Sequence, residues 1–178
     1  MSFGGKKQVS EKDKENSNNC MEKELKSQNN PNLKKPRKIN RKPYKMLDAP
    51  NLQDDFYLNL LDWSDRNQIA VALDSALYVW SGCSTEVTKL YETSQMSDYL
   101  CSVSFCDDNK LAFGNSSGLI KIYDIVKKKK INCFDGHDGR VGSLDWSHGL
   151  LASGSRDGKV ATWDLRDGIV NKYVAHNQ

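Results

Sequence analysis

The sequence predicts an all-β fold of propeller blades over residues 47–178, preceded by a basic segment over residues 1–46 that cannot fold alone. Two observations carry this reading. Charge and composition change sharply near Met46, and the chain after that point repeats itself every 40–43 residues.

The first segment comes first in the chain. Residues 1–46 hold 13 Lys/Arg against 5 Asp/Glu, a net of +8, whereas residues 47–178 hold 13 against 18, a net of −5. The tail is rich in Lys, Asn, Ser and Glu. Such a composition buries too little apolar surface to offset ordering entropy, so disorder is expected. Its densest stretch, Lys34 to Lys42, reads as a nuclear localisation signal, a contact for an acidic surface, or a solvated linker. No aromatic side chain interleaves with those charges, so stacking on single-stranded nucleic acid is not expected.

The repeat is visible in three places. Leu60-Leu61-Asp62-Trp63, Ser102-Val103-Ser104-Phe105 and Ser143-Leu144-Asp145-Trp146 end on aromatics 42 and 41 residues apart. Leu77-Tyr78-Val79-Trp80, Ile120-Lys121-Ile122-Tyr123 and Val160-Ala161-Thr162-Trp163 follow at spacings of 43 and 40. Between them lie Ile69 to Ala72, Leu111 to Gly114 and Leu151 to Gly154. Four short β-rich runs in such a period match one WD-repeat blade. Strands are expected near 58–63, 69–73, 76–80 and 86–91, then 101–105, 110–114, 119–124 and 129–134, then 141–146, 150–155, 159–164 and 169–175. The blades are approximately 55–92, 98–135 and 138–176. Turn chemistry agrees: Ser117-Gly118 and Asp157-Gly158 supply the positive φ of tight hairpins, with Asp74-Ser75 in that place in the first copy. Asp107-Asp108-Asn109 and Ser147-His148-Gly149 separate first and second strands.

The third copy carries the fullest signature. His137, Ser153, Asp157 and Trp163 match the His, strand Ser/Thr, turn Asp and Trp that WD repeats join by buried hydrogen bonds. A His–Asp–Ser trio also invites a hydrolase reading. The Ser lies on a strand with no strained elbow or oxyanion helix around it, so a structural staple is expected instead. The first two copies lack the full set and read as degenerate blades. His137, His148 and His176 have no metal-ligand spacing, and Gly136-His137-Asp138-Gly139 is no phosphate loop. No catalytic constellation, cofactor, metal or small-molecule ligand is expected.

Other classes are excluded on composition. No run approaches eighteen consecutive apolar residues and the N-terminus has no apolar h-region, so neither a membrane span nor a secretory signal is expected. Five cysteines without a C-x-x-C pair fit a reducing compartment, most of them as small buried hydrophobes. Three blades do not close a propeller, and His176 sits 39 residues after His137 as the start of a fourth repeat. Either the array continues or a partner covers an apolar face.

The match goes further than a generic blade. Arg37-Lys38-Ile39, Leu47-Asp48-Ala49-Pro50 and the run Asp54-Asp55-Phe56-Tyr57-Leu58-Asn59-Leu60-Leu61-Asp62-Trp63-Ser64 resemble the fizzy and fizzy-related family. So do Ala70-Val71-Ala72-Leu73, Leu77 to Ser81, Arg140 to Leu144 and Ser153 to Asp157, in one collinear order over residues 37–178. Gln53 to Phe56 is similar to the fizzy-related branch and Arg140 to Leu144 to fizzy itself.

That resemblance implies a seven-bladed WD-repeat propeller, of which three blades are present here. It implies a non-catalytic activator of the anaphase-promoting complex, a ubiquitin ligase, binding protein substrates that carry destruction-box and K-E-N degrons. It implies neither nucleic acid nor membrane as partner, and residence in nucleus and cytoplasm. The family's destruction-box groove lies between the first and last blades, and its first-blade segment matches here at Leu61 and Asp62. Lys14-Glu15-Asn16 spells a K-E-N degron within the tail. Nothing in residues 1–46 reads as the family's D-R-Y-I-P docking box, and the chain ends Asn177-Gln178 rather than Ile-Arg. The chain as written is therefore expected not to be a competent activator. The alternatives are a generic WD-repeat interaction scaffold and a non-productive regulatory fragment.

Overall fold

Alternating apolar and polar residues, cut by Gly, Asp and Asn, dictate short strands joined by tight turns. The computed structural model describes residues 39, 41–43, 45–95, 97–106 and 109–176. Among them the strands are β1 (Leu61–Trp63), β2 (Gln68–Leu73), β3 (Ala76–Ser81), β4 (Val87–Glu92), β5 (Leu100–Cys106), β6 (Lys110–Asn115), β7 (Leu119–Asp124), β8 (Lys129–Asp135), β9 (Val141–Ser147), β10 (Leu150–Ser155), β11 (Lys159–Asp164) and β12 (Gly168–Val174). They form three four-stranded antiparallel meanders, β1 to β4, β5 to β8 and β9 to β12. These are blades 1, 2 and 3 of a WD-repeat propeller. They lie in a compact unit spanning Leu47–Gln178.

Eleven strands match the expected ranges to within one residue at each end. The first differs: the run expected at 58–63 contributes only Leu61–Trp63 to its sheet. Residues before it leave blade 1 to run beside β5. The Asn59 N–H donates to the Cys101 carbonyl at 2.9 Å, and the Val103 N–H donates to the Asn59 carbonyl at 2.9 Å. A parallel bridge pairs Asn59 with Ser102. The backbone groups are thus satisfied by the next blade rather than by their own.

Each blade repeats one irregularity. The outer pair of strands shifts register at Leu77/Tyr78 in blade 1, Ile122/Tyr123 in blade 2 and Thr162/Trp163 in blade 3. Such bulges sharpen the local twist that a blade needs.

The core lies between blades. One buried cluster joins Leu60, Ala70, Ala72, Leu77, Val79 and Leu90 of blade 1 to Leu100, Val103, Leu111 and Phe113 of blade 2. A second joins Ala112, Ile120, Ile122 and Phe134 of blade 2 to Val141, Leu144, Leu151, Ala161 and Trp163 of blade 3. Outer-strand aromatics seal both. Tyr91 lies 4.9 Å from Phe113 and 5.5 Å from Tyr123, and Phe134 stacks on Trp163 at 5.0 Å with planes 12° apart. The inner strands are also linked directly: Ser102 Oγ donates to the Val141 carbonyl at 2.7 Å and Trp146 Nε1 to the Ser104 carbonyl at 3.3 Å.

The cysteines depart from expectation. Cys101 is buried, and burial pushes its thiol up to about 12. Cys106 is half-buried, while Cys83 and Cys133 are exposed. Cys83 sits in the β3–β4 turn, and Cys133 lies on β8 between Asn132 and Phe134, the neighbours whose side chains reach blade 3.

Candidate functional site

In blade 3, His137, Ser153, Asp157 and Trp163 form one chain of hydrogen bonds. His137 Nδ1 is 3.0 Å from Asp157 Oδ2 and Nε2 is 2.8 Å from Ser153 Oγ. Trp163 Nε1 donates to the same Ser153 Oγ at 2.7 Å. The tautomer with hydrogen on Nδ1 satisfies every partner. Asp157 then accepts from the ring, Ser153 donates to Nε2, and Trp163 donates to Ser153. The Ser153 hydroxyl is buried and its hydrogen and lone pair are already engaged, so the chain staples four elements rather than presenting a nucleophile.

Burial works against the charged form of Asp157, but the backbone N–H groups of Asp138 and Lys159 and the His137 side chain outweigh it. Together they hold its carboxyl down to about 2, against an ordinary 3.8. The sign follows from linkage. An acid whose folded value lies below its unfolded value contributes stability that is complete above about pH 4 and lost as pH falls through 2, roughly 2 kcal/mol in all. Urea unfolding between pH 5 and pH 2 is expected to show this loss. In Asp157→Asn the slope of unfolding free energy against pH is shallower by up to one proton below pH 4. Equal slopes would show that Asp157 is not held this way.

The degenerate blades solve the same problem with other residues. In blade 2 the buried Asp98 carboxylate accepts from Asn115 Nδ2 at 2.6 Å and from Ser116 Oγ at 2.8 Å. Asn115 Oδ1 then accepts from the Leu119 N–H at 2.7 Å. The acid has moved from the hairpin to the blade's entry loop, and the neutral partners have moved the other way. In blade 1, Gln53 Nε2 donates to Asp74 Oδ1 at 3.3 Å. Sequence reasoning missed both staples. The only signal was an acid 18 residues before a hairpin serine, close to the 20 that separate His137 from Asp157.

Leu61 and Asp62 are adjacent in the chain and point to opposite sides of β1, as strand alternation requires. Leu61 and Trp63 are exposed on the open flank of blade 1. Asp62 faces blade 2. Its Oδ2 accepts from the Phe105 N–H at 2.6 Å and its Oδ1 from the Trp63 N–H at 2.8 Å. Asp62 also lines a cleft of about 410 Å³ with Arg66, Asn109, Asp145, Trp146 and His148, between the first hairpins of the three blades. Arg66 Nη1 donates to Asn109 Oδ1 there at 2.6 Å. A distant contact ties the ends of the array. Arg140, entering blade 3, pairs with Asp55, ahead of blade 1, at 3.0 Å, with its guanidinium 5.5 Å from the Tyr57 ring centroid. Lys14, Glu15 and Asn16 lie outside the described residues.

With this geometry in hand, the likenesses to known proteins are specific. The family model described as "WD domain, G-beta repeat" matches residues 128–164, the end of blade 2 and most of blade 3. Protein FIZZY-RELATED 1 of Arabidopsis thaliana is 49% identical over 147 residues, covering 81% of this chain and 31% of that protein. Anaphase-promoting complex subunit cdc20 of Dictyostelium discoideum is 40% identical over 140 residues, covering 78% and 28%. A chain in the crystal structure of the mitotic checkpoint complex is 41% identical with a TM-score of 0.75, covering 83% of this chain and 47% of that one. The chain spans about a third of the length of the curated relatives it matches. Over four-fifths of its length, this chain is a homologue of the fizzy and fizzy-related WD-repeat proteins.

Proposed function

We propose that this chain supplies the first blades of a substrate-recruiting activator of the anaphase-promoting complex, without catalytic chemistry of its own. The observation that carries the reading is the 40% identity, over 140 residues and 78% of this chain, to a relative named as a subunit of that complex. The mechanism is proximity. A degron held on the propeller keeps substrate lysines near the ligase, and two weak sites joined in one assembly raise effective concentration. Leu61 offers an apolar seat on the open flank of blade 1, while Asp62, on the opposite side of β1, holds that strand to the Phe105 N–H of blade 2 and adds negative charge behind the seat. Lys14-Glu15-Asn16 is a degron through which the chain is itself degraded, and the basic stretch after it directs part of the protein to the nucleus.

Fluorescence anisotropy with a labelled destruction-box peptide tests this. Binding is expected, and Leu61→Ala weakens it about tenfold, with a smaller loss for Asp62→Asn, whose side chain turns away from that flank. Leu61 is exposed, so its truncation leaves the fold intact. Equal binding of a scrambled peptide would overturn the reading. Steep salt-dependent binding of nucleic acid with no response to degron peptides would favour a scaffold instead.

A further inference from the structure

The seat at Leu61 is held from further away than its own blade. β1 contributes only three residues to its sheet and pairs there with β2 alone. The direction from which the chain enters β1 is therefore set by residues 55–60, and these are fixed on blades 2 and 3. Asn59 bonds in both directions to β5, through the Cys101 carbonyl and the Val103 N–H. Leu58 packs on the core that blades 1 and 2 share. Further upstream the segment reaches blade 3. The Asp55 carboxylate has two partners there: Oδ1 accepts the Tyr57 N–H at 2.9 Å, closing a local turn, and Oδ2 accepts from Arg140 Nη1 at 3.0 Å. The same guanidinium lies 5.5 Å from the Tyr57 ring centroid. The Tyr57 carbonyl crosses Gly142 so closely that an added Cβ would lie 2.8 Å from it.

Residues 55–60 thus form a strap, tied to blade 2 by backbone and to blade 3 by an ion pair and a close backbone approach. The pair is partly shielded, with side-chain exposures of 34% at Asp55 and 18% at Arg140, so solvent screens it less than a fully open one. We propose that Arg140 is a positioning residue for the Leu61 seat, holding the strap from blade 3 and so fixing where β1 begins. The inference rests on the recruitment reading above. Leu61 faces away from blade 2, so Arg140 acts on it through the strap and not by touching the bound peptide.

Two measurements on the full chain test this: anisotropy of the labelled destruction-box peptide, and hydrogen exchange at the Asn59 and Val103 amides. Arg140→Ala is expected to weaken peptide binding about fivefold, a size typical of coupling carried through packed neighbours. Exchange at Asn59 and Val103 quickens by about the same factor, while Leu151 and Ala161 in the core of blade 3 exchange as in the wild type. Gly142→Ala presses on the strap without changing any charge, and has the same two effects. Arg140→Lys restores most of both. In a Leu61→Ala background Arg140→Ala adds no further loss, because both act at one seat. The proposal is overturned if the strap amides exchange no faster in either blade 3 variant, or if the strap is released with peptide affinity intact. Additive losses in the double variant also overturn it, because they place Arg140 against the peptide itself. A wild-type chain that ignores the peptide overturns the recruitment reading and this role with it. Equal binding by the wild type and Arg140→Ala sinks the present inference alone.

Discussion

Trp163→Ala is expected to lower the free energy of unfolding by about 3–5 kcal/mol, the range for a fully buried large aromatic. Three losses combine at this one side chain. The indole is a buried member of the cluster between blades 2 and 3. It provides the surface on which Phe134 stacks. Its N–H donates to Ser153 Oγ, which also contacts His137. Collapse cannot fill the hole, because the ring lies against backbone as well. A Cβ added at Gly136 would lie 2.5 Å from the edge of the indole. Trp163→Phe separates the contributions: it keeps most of the stack and removes the donor, at about 1–2 kcal/mol. Urea denaturation followed by circular dichroism reads both. A loss below 1 kcal/mol for the alanine variant would mean that blades 2 and 3 do not share this core.

What the sequence disclosed and what it hid divide along the range of the interactions. Strand positions were legible because they follow from local alternation and from turn residues, and three copies allow each to check the others. The blade 3 staple was legible for the same reason, since His137, Ser153, Asp157 and Trp163 sit at spacings one blade dictates. The blade 2 staple was hidden because Asp98 and Ser116 exchange the chemical roles of entry loop and hairpin. A search for His followed by Asp passes over them. The pairing of Arg140 with Asp55 joins residues 85 apart, and nothing local marks it. Asp62 shows the limit most clearly. Parity along β1 places its side chain opposite Leu61 and Trp63, but only the assembled array shows that its side is the one holding Phe105. The shortened β1 has the same origin: the backbone of Asn59 finds better partners on β5 than in its own sheet.

Gly118→Ala carries the second largest expected effect, about 3 kcal/mol or more. Gly118 sits in the β6–β7 hairpin at φ +92°, a backbone conformation that costs an L-residue about 1–2 kcal/mol. A Cβ there would also lie 2.2 Å from the His137 carbonyl oxygen. That oxygen is backbone in the loop entering blade 3, so it cannot swing away as a side-chain tip would. The methyl must push the loop, and with it the His137 ring that reaches Asp157 and Ser153. The clash therefore adds to the dihedral cost rather than relaxing away. Gly149→Ala isolates the dihedral part. Gly149 lies at φ +83° with nothing within 4 Å of an added Cβ, so its loss is expected to stay near 1–2 kcal/mol. Asp74, in the corresponding hairpin of blade 1, occupies φ +54° with a side chain in place. A hairpin of this kind thus accepts a side chain at positive φ, and Gly118 is held to glycine by the His137 carbonyl in the entry to blade 3. If the two alanine variants lose equal stability in urea, the contact between hairpin and loop is looser than 2.2 Å implies, and the staple of blade 3 does not depend on the turn of blade 2.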